Sequence, residues 1–201
     1  MSMINKEIED FSVQAFHGDD FITVTKDDVL GHWSVFFFYP ADFTFVCPTE
    51  LEDLAALYDQ FKAADCEIYS VSCDTHFVHK AWHDASENIK NLPYPMLADP
   101  THKLADIFDV YIEEDGVAER GSFIVNPEGR ICLLYTSAQR LADDGNDVAC
   151  YRILDAVHGY LLYPPVFSIV RDTYRIMKHF LDDEELKQEG EPAWLGLLGT
   201  D

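Results

Sequence analysis

The chain has 201 residues, 48% of them hydrophobic, with 37 acidic side chains against 14 basic ones and a formal charge of −23. So apolar a composition excludes disorder of the whole, and the length suits one domain with a core, or a domain plus an extension. The charge repels phosphate backbones and anionic lipid, so we expect neither a nucleic-acid binder nor a membrane-surface protein, and read the acidity as solubility. The first expected strand covers residues 33–39, "WSVFFFY", whose aromatic run reads as core strand ended by Pro40. A helix follows from Thr49, where Leu51, Leu54, Ala55, Tyr58 and Phe61 recur at three- and four-residue steps and make one apolar face. A strand at 67–72 and a helix from His76 to about Asn88 come next. Strands at 122–125 and 131–135 bracket "NPEG" at 126–129, a hairpin signal. A third helix is expected over 148–161, stopped by "YPP", and one more acidic helix is expected to end near Gly190.

Strands alternating with helices, plus one hairpin, predict an α/β fold with a mixed central sheet flanked by helices. The division expected is a domain over 1–161 and a divergent helical C-terminal extension over 162–201. No run of 18 apolar residues and no apolar N-terminal segment of signal-peptide length occurs. The five cysteines, Cys47, Cys66, Cys73, Cys132 and Cys150, are odd in number and irregularly spaced, which predicts a reducing, cytoplasmic setting. All but Cys47 read as small buried hydrophobes.

Cys47 sits where a strand ends and a helix begins, and Pro48 suits the first helical turn, where a missing N–H costs nothing. The reactive form of cysteine is the thiolate, and two devices favour it: the positive end of a helix and a fixed cation. With so few basic residues, Arg120, just before the strand at 122–125, is the best candidate cation. Thr44, three residues before Cys47, is placed to bring its hydroxyl to the same pocket, and Pro40 to shield the thiol from water. His76, His79 and His83 follow steps of three and four and would share a helix face; we read them as surface or capping residues rather than a metal site. Cys66 and Cys73, seven positions apart on or beside one strand, should point to opposite faces, too badly placed for a disulfide. The chain has no C-x-x-C, which disfavours a disulfide oxidoreductase.

The segment "FFFYPADFTFVCPTELEDLA" resembles the active-site segment of the peroxiredoxins, most closely the alkyl hydroperoxide reductase C type, through the pattern Pro40-x-x-x-Thr44-x-x-Cys47. The likeness continues through "VSCDTHFVHKAWHDAS", "YPMLADPTHKLA" and "ERGSFIVNPEGRI", to about residue 131. It implies a thioredoxin-like fold and a thiol-dependent peroxidase acting on hydrogen peroxide and small organic hydroperoxides. Cys47 would be the peroxidatic thiolate, Arg120 would stabilise it and bind the peroxide, Thr44 would orient the peroxide, Pro40 would limit solvent access, and Glu50 would hold the arginine. It implies no cofactor and no metal, a homodimer or higher homo-oligomer, and an external thiol or a flavoprotein- or thioredoxin-type reductant.

The tail departs from that family. This subtype carries a resolving cysteine near its C-terminus, whereas nothing after Cys150 here is a cysteine, and Glu191 stands in "EGEPAW" where a thiol is expected. Three explanations stand: reduction by an external thiol, which we favour; resolution by Cys66, Cys73, Cys132 or Cys150 after local unfolding; or a break in the reading of the sequence after Ile131. A non-recycling redox sensor or holdase-type binding protein on the same fold is the alternative function.

Overall fold

A computed structural model describes residues 3–44 and 47–135. The expected helix at 148–161, the acidic helix near Gly190, the boundary at 161/162 and Cys150 lie outside them. The described elements are, in chain order, β1 (Ser12–His17), β2 (Asp20–Thr25), β3 (Trp33–Phe38), α1 (Cys47–Ala63), β4 (Cys66–Ser72), α2 (His76–Ala85), β5 (Met96–Ala98), α3 (Lys103–Ile107), β6 (Tyr111–Ile112), β7 (Val117–Ala118), β8 (Gly121–Val125) and β9 (Ile131–Tyr135). Seven strands form one sheet in the order β2-β1-β5-β4-β3-β8-β9, and β6 and β7 form a separate pair. Strand β3 runs parallel to β4 and antiparallel to β8, so the sheet is mixed, as expected.

Each face of β3 serves a different core. Val35, Phe37 and Tyr39 pack with Leu51, Leu54 and Phe61 of α1 and Trp82 of α2. Phe36 and Phe38 pack on the other face with Leu104, Ala105 and Ile107 of α3 and with Phe108. A strand covered on both sides needs apolar residues at every position, which is why "VFFF" does not alternate with polar ones.

Helix α1 begins at Cys47, two residues earlier than its apolar periodicity suggests: buried Cys47 extends the core-facing stripe one turn ahead of Leu51, and Pro48 suits the first turn, where a missing N–H costs nothing. It closes through Asp65, whose left-handed backbone (φ 53°) turns the chain and whose carbonyl accepts from Trp33 N–H. Helix α2 starts on Thr75, whose side chain accepts from Val78 N–H. It ends at Ala85, short of the expected Asn88: Ser86 is extended, and the turns after it bury Ile89 and Leu92.

The hairpin at "NPEG" forms between β8 and β9, with Gly129 N–H donating to Asn126 O from φ 77°. The hairpin β1–β2 has no counterpart among the expected elements. Its turn is Gly18-Asp19, between the paired His17 and Asp20, with Gly18 at φ 63°.

Candidate active site

Strands β3 and β8 build the site between them. Phe38, the last residue of β3, pairs with Gly121, the first of β8. The loop leaving β3 therefore emerges beside the residue preceding β8, which is Arg120. Cys47, at the start of α1 on the far side of that loop, has no exposed surface at all. Arg120 Nη2 donates to Cys47 Sγ at 3.4 Å, and Arg120 Nε lies 3.1 Å from both oxygens of Glu50. Glu50 is buried in the first turn of α1, where helix N–H groups favour negative charge. Burial pushes its carboxyl above the ordinary range, against the pull of the Arg120 cation. The Arg120 side chain that touches the sulfur is itself 42% exposed.

Thr44 and Pro40 belong to the loop between β3 and α1, and both are half-buried. The Thr44 hydroxyl donates to Ala41 O at 3.1 Å, which leaves its oxygen lone pairs for another donor. Pro40 directly follows Tyr39, whose N–H extends the β3–β4 ladder by donating to Val71 O.

The same loop carries a network that our reading of the sequence missed. Asp42 is buried. Its Oδ1 accepts from Tyr39 Oη at 2.7 Å, its Oδ2 lies 2.8 Å from His79 Nδ1, and its N–H donates to Asp74 Oδ2 at 2.9 Å. His79 Nε2 lies 3.1 Å from Leu97 O. Burial, and then the adjacent Asp42 charge, push the Tyr39 phenol well up. His79 is thus fully buried, which corrects its reading as a surface or capping residue. Nor do the three histidines converge: His76 lies against Phe77 and Phe21, and His83 against Phe16. Among the described residues no group of side chains could hold a metal ion. The signal for the network was the three-residue spacing of Tyr39 and Asp42, which places a phenol and a carboxylate across one tight turn.

The other described cysteines lie elsewhere. Cys66 pairs with Trp33 and Cys132 lies beside Ile131, which pairs with Val125, itself opposite Ser34. Both therefore sit at the end of β3 away from Cys47, separated from it by roughly 13–17 Å of strand. Cys73 follows β4 at the same end as Cys47, but packs against the opposite face of the sheet. Cys66 is buried as expected, whereas Cys73 and Cys132 are only partly so. Burial raises the thiols of Cys73 and Cys132 to about 11, and raises that of Cys66 further.

This arrangement can be set beside known proteins. Residues 4–133 match the family model described as AhpC/TSA family. The chain belongs to that family. It is 50% identical to alkyl hydroperoxide reductase C of Bacillus subtilis (strain 168) over 148 residues, which is 74% of this chain and 79% of the relative. It is 48% identical to the protein of that name from Escherichia coli (strain K12) over the same shares. The crystal structure of Enterococcus faecalis AhpC superposes with a TM-score of 0.67 at 45% identity, covering 82% of this chain and all of that one. The reduced 2-Cys peroxiredoxin of Plasmodium vivax superposes at 0.63 with 27% identity, covering 81% and 100%. The fold is accordingly that of the peroxiredoxins, thioredoxin-like, with helices on both faces of a mixed sheet.

Proposed function

We propose that Cys47 is the peroxidatic residue of this thiol-dependent peroxidase, and that Arg120, Thr44 and Pro40 complete its active site. The observation carrying this is the contact of the Arg120 guanidinium with Cys47 Sγ at 3.4 Å, with the same side chain anchored on buried Glu50. The Cys47 sulfur attacks the terminal peroxide oxygen. A sulfur–oxygen bond forms, the oxygen–oxygen bond breaks, and the departing alkoxide or hydroxide takes up a proton, leaving Cys47 as a sulfenic acid. Arg120, with a donor left over, attracts the negative charge that moves from sulfur to the leaving oxygen. Thr44 presents its hydroxyl oxygen to the peroxide proton, and Pro40 limits water at the sulfenic acid.

Recycling is by an external reductant. One thiol condenses with the sulfenic acid, releasing water and forming a mixed disulfide; a second thiol then frees Cys47 and leaves as the disulfide. Support comes from the positions of Cys66 and Cys132 at the far end of the sheet and of Cys73 on its other face. Hydrogen peroxide and small organic hydroperoxides are the substrates. A flavoprotein or thioredoxin-type protein is the alternative donor to a small thiol. We place the chain in the cytoplasm, where its odd number of irregularly spaced cysteines would stay reduced, as a homodimer or higher homo-oligomer.

The test is peroxide consumption with dithiothreitol as donor, followed by mass spectrometry after a single equivalent of peroxide. We expect turnover, one sulfenic acid on Cys47, and no activity in Cys47→Ser. A Cys47→Ser protein that still turns over sinks the reading.

A further inference from the structure

The buried polar network in the β3–α1 loop takes no part in the peroxide chemistry, and its composition is unusual for so apolar a place. Both ring nitrogens of His79 face acceptors: Nδ1 faces Asp42 Oδ2 and Nε2 faces Leu97 O, at 2.8 and 3.1 Å. A carbonyl has no proton to give, so Nε2 carries one. A lone pair on Nδ1 directed at an ionised carboxylate would be repelled, so a second proton lies between Nδ1 and Oδ2. The pair is held by that shared proton, in full burial on both sides.

What the pair holds is the loop. Asp42 stands two residues before Thr44 and five before Cys47. Through it the loop is tied to Tyr39 at the end of β3, to Asp74 beyond β4 and to His79 on α2. The next residue, Phe43, has a left-handed backbone (φ 57°), disfavoured for a bulky side chain and retained only where its surroundings impose it. Its ring lies 6.1 Å from that of Trp82, on the same helix as His79. Asp42 is therefore the fixed point from which the chain bends to deliver Thr44.

We infer that the Asp42–His79 pair is a positioning device for the peroxide step, pinning the loop to α2 so that Thr44 is set against the Cys47 sulfur. Neither residue touches peroxide. The inference rests on Cys47 being the oxidised thiol: a wild-type Cys47 that peroxide does not oxidise sinks the proposed function and this inference with it, whereas a reactive wild type whose variants show no split sinks this inference alone.

The experiment compares two reactions of the same sulfur in the full chain. Oxidation by peroxide needs an oriented substrate, whereas alkylation by iodoacetamide needs only the nucleophile. In His79→Leu we expect the rate constant for peroxide oxidation of Cys47 to fall about 10- to 100-fold, the usual consequence of misplacing a group by about 1 Å, with alkylation of Cys47 retained within about threefold. Asp42→Asn should rescue, because an amide can donate to a neutral His79 Nδ1 while Nε2 still donates to Leu97 O, and we expect peroxide oxidation within about threefold of wild type. Tyr39→Phe, which removes only one bond to Asp42, gives the same split at about 3- to 10-fold and serves if His79→Leu does not fold. Equal losses in both reactions, no loss in either, or an Asp42→Asn protein as slow as His79→Leu overturns the inference.

Discussion

Arg120 reaches Cys47 across 73 positions of sequence, with Nη2 3.4 Å from Sγ. The contact depends on the pairing of Phe38 with Gly121, because those two residues bring the ends of β3 and β8 together. Replacing Arg120 by Met keeps the length of the side chain and removes the cation. We expect the second-order rate with peroxide to fall by about 10²- to 10³-fold, the range for losing one pre-positioned donor. Stopped-flow oxidation of the variant checks this; a loss of less than about threefold would mean that the guanidinium does not act on the reacting atoms.

Glu50 gives a prediction in pH. Its carboxyl is raised by burial above its usual 4.5. A carboxyl whose folded value is raised binds its proton more tightly in the folded than in the unfolded state. Its contribution to stability is therefore present below the unfolded value and is lost as pH rises toward the folded one. Glu50→Gln abolishes that loss. Denaturant midpoints measured from pH 4.5 upward should depend less on pH in the variant than in wild type. The same variant should oxidise roughly tenfold more slowly, because Arg120 loses its anchor. Identical pH profiles for the two proteins would contradict the assignment.

The cysteines should separate by reactivity. With thiols at about 11, Cys73 and Cys132 are ionised to only about one part in a thousand at pH 8. Cys66, pushed higher and buried, should be the slowest of the three. Timed alkylation at pH 8 with peptide mass spectrometry gives the order, and Cys66 labelling as fast as Cys73 would refute it. One equivalent of peroxide added beforehand should protect Cys47 alone among these four.

Gly129 bears on stability alone. It has φ 77°, and a Cβ there would lie 2.9 Å from Leu30 Cδ2. Gly129→Ala should cost about 1–3 kcal/mol, the sum of left-handed strain and a tight contact. Thermal or denaturant unfolding measures this, and an unchanged midpoint would contradict it. Peroxidase activity at low temperature should persist, since the turn lies at the far end of β8 from Arg120.

Where one segment holds both the signal and the structure, the sequence was readable. The run from Trp33 to Phe38, the apolar face of α1 and the turn at "NPEG" each combine a local pattern with the element it forms. The positions of Cys47 and Arg120 were readable from a motif and from the scarcity of cations, although nothing local states that they meet. What escaped was set by distant partners. Strand β5, only three residues long, exists because β1 and β4 flank it. Helix α3, five residues long, is too short for its periodicity to register. His79 looked like one of three exposed histidines because its partners, Asp42 and the Leu97 carbonyl, come from two other segments.

The pairing of β3 with β8 has a consequence during synthesis. A nascent chain carries Cys47 long before residues 121–125 exist to line up Arg120 beside it. Until then the sulfur lacks its cation and meets oxidants as any unassisted thiol does. On the roles proposed for Cys47 and Arg120, peroxide reactivity therefore waits for β8 to pair with β3.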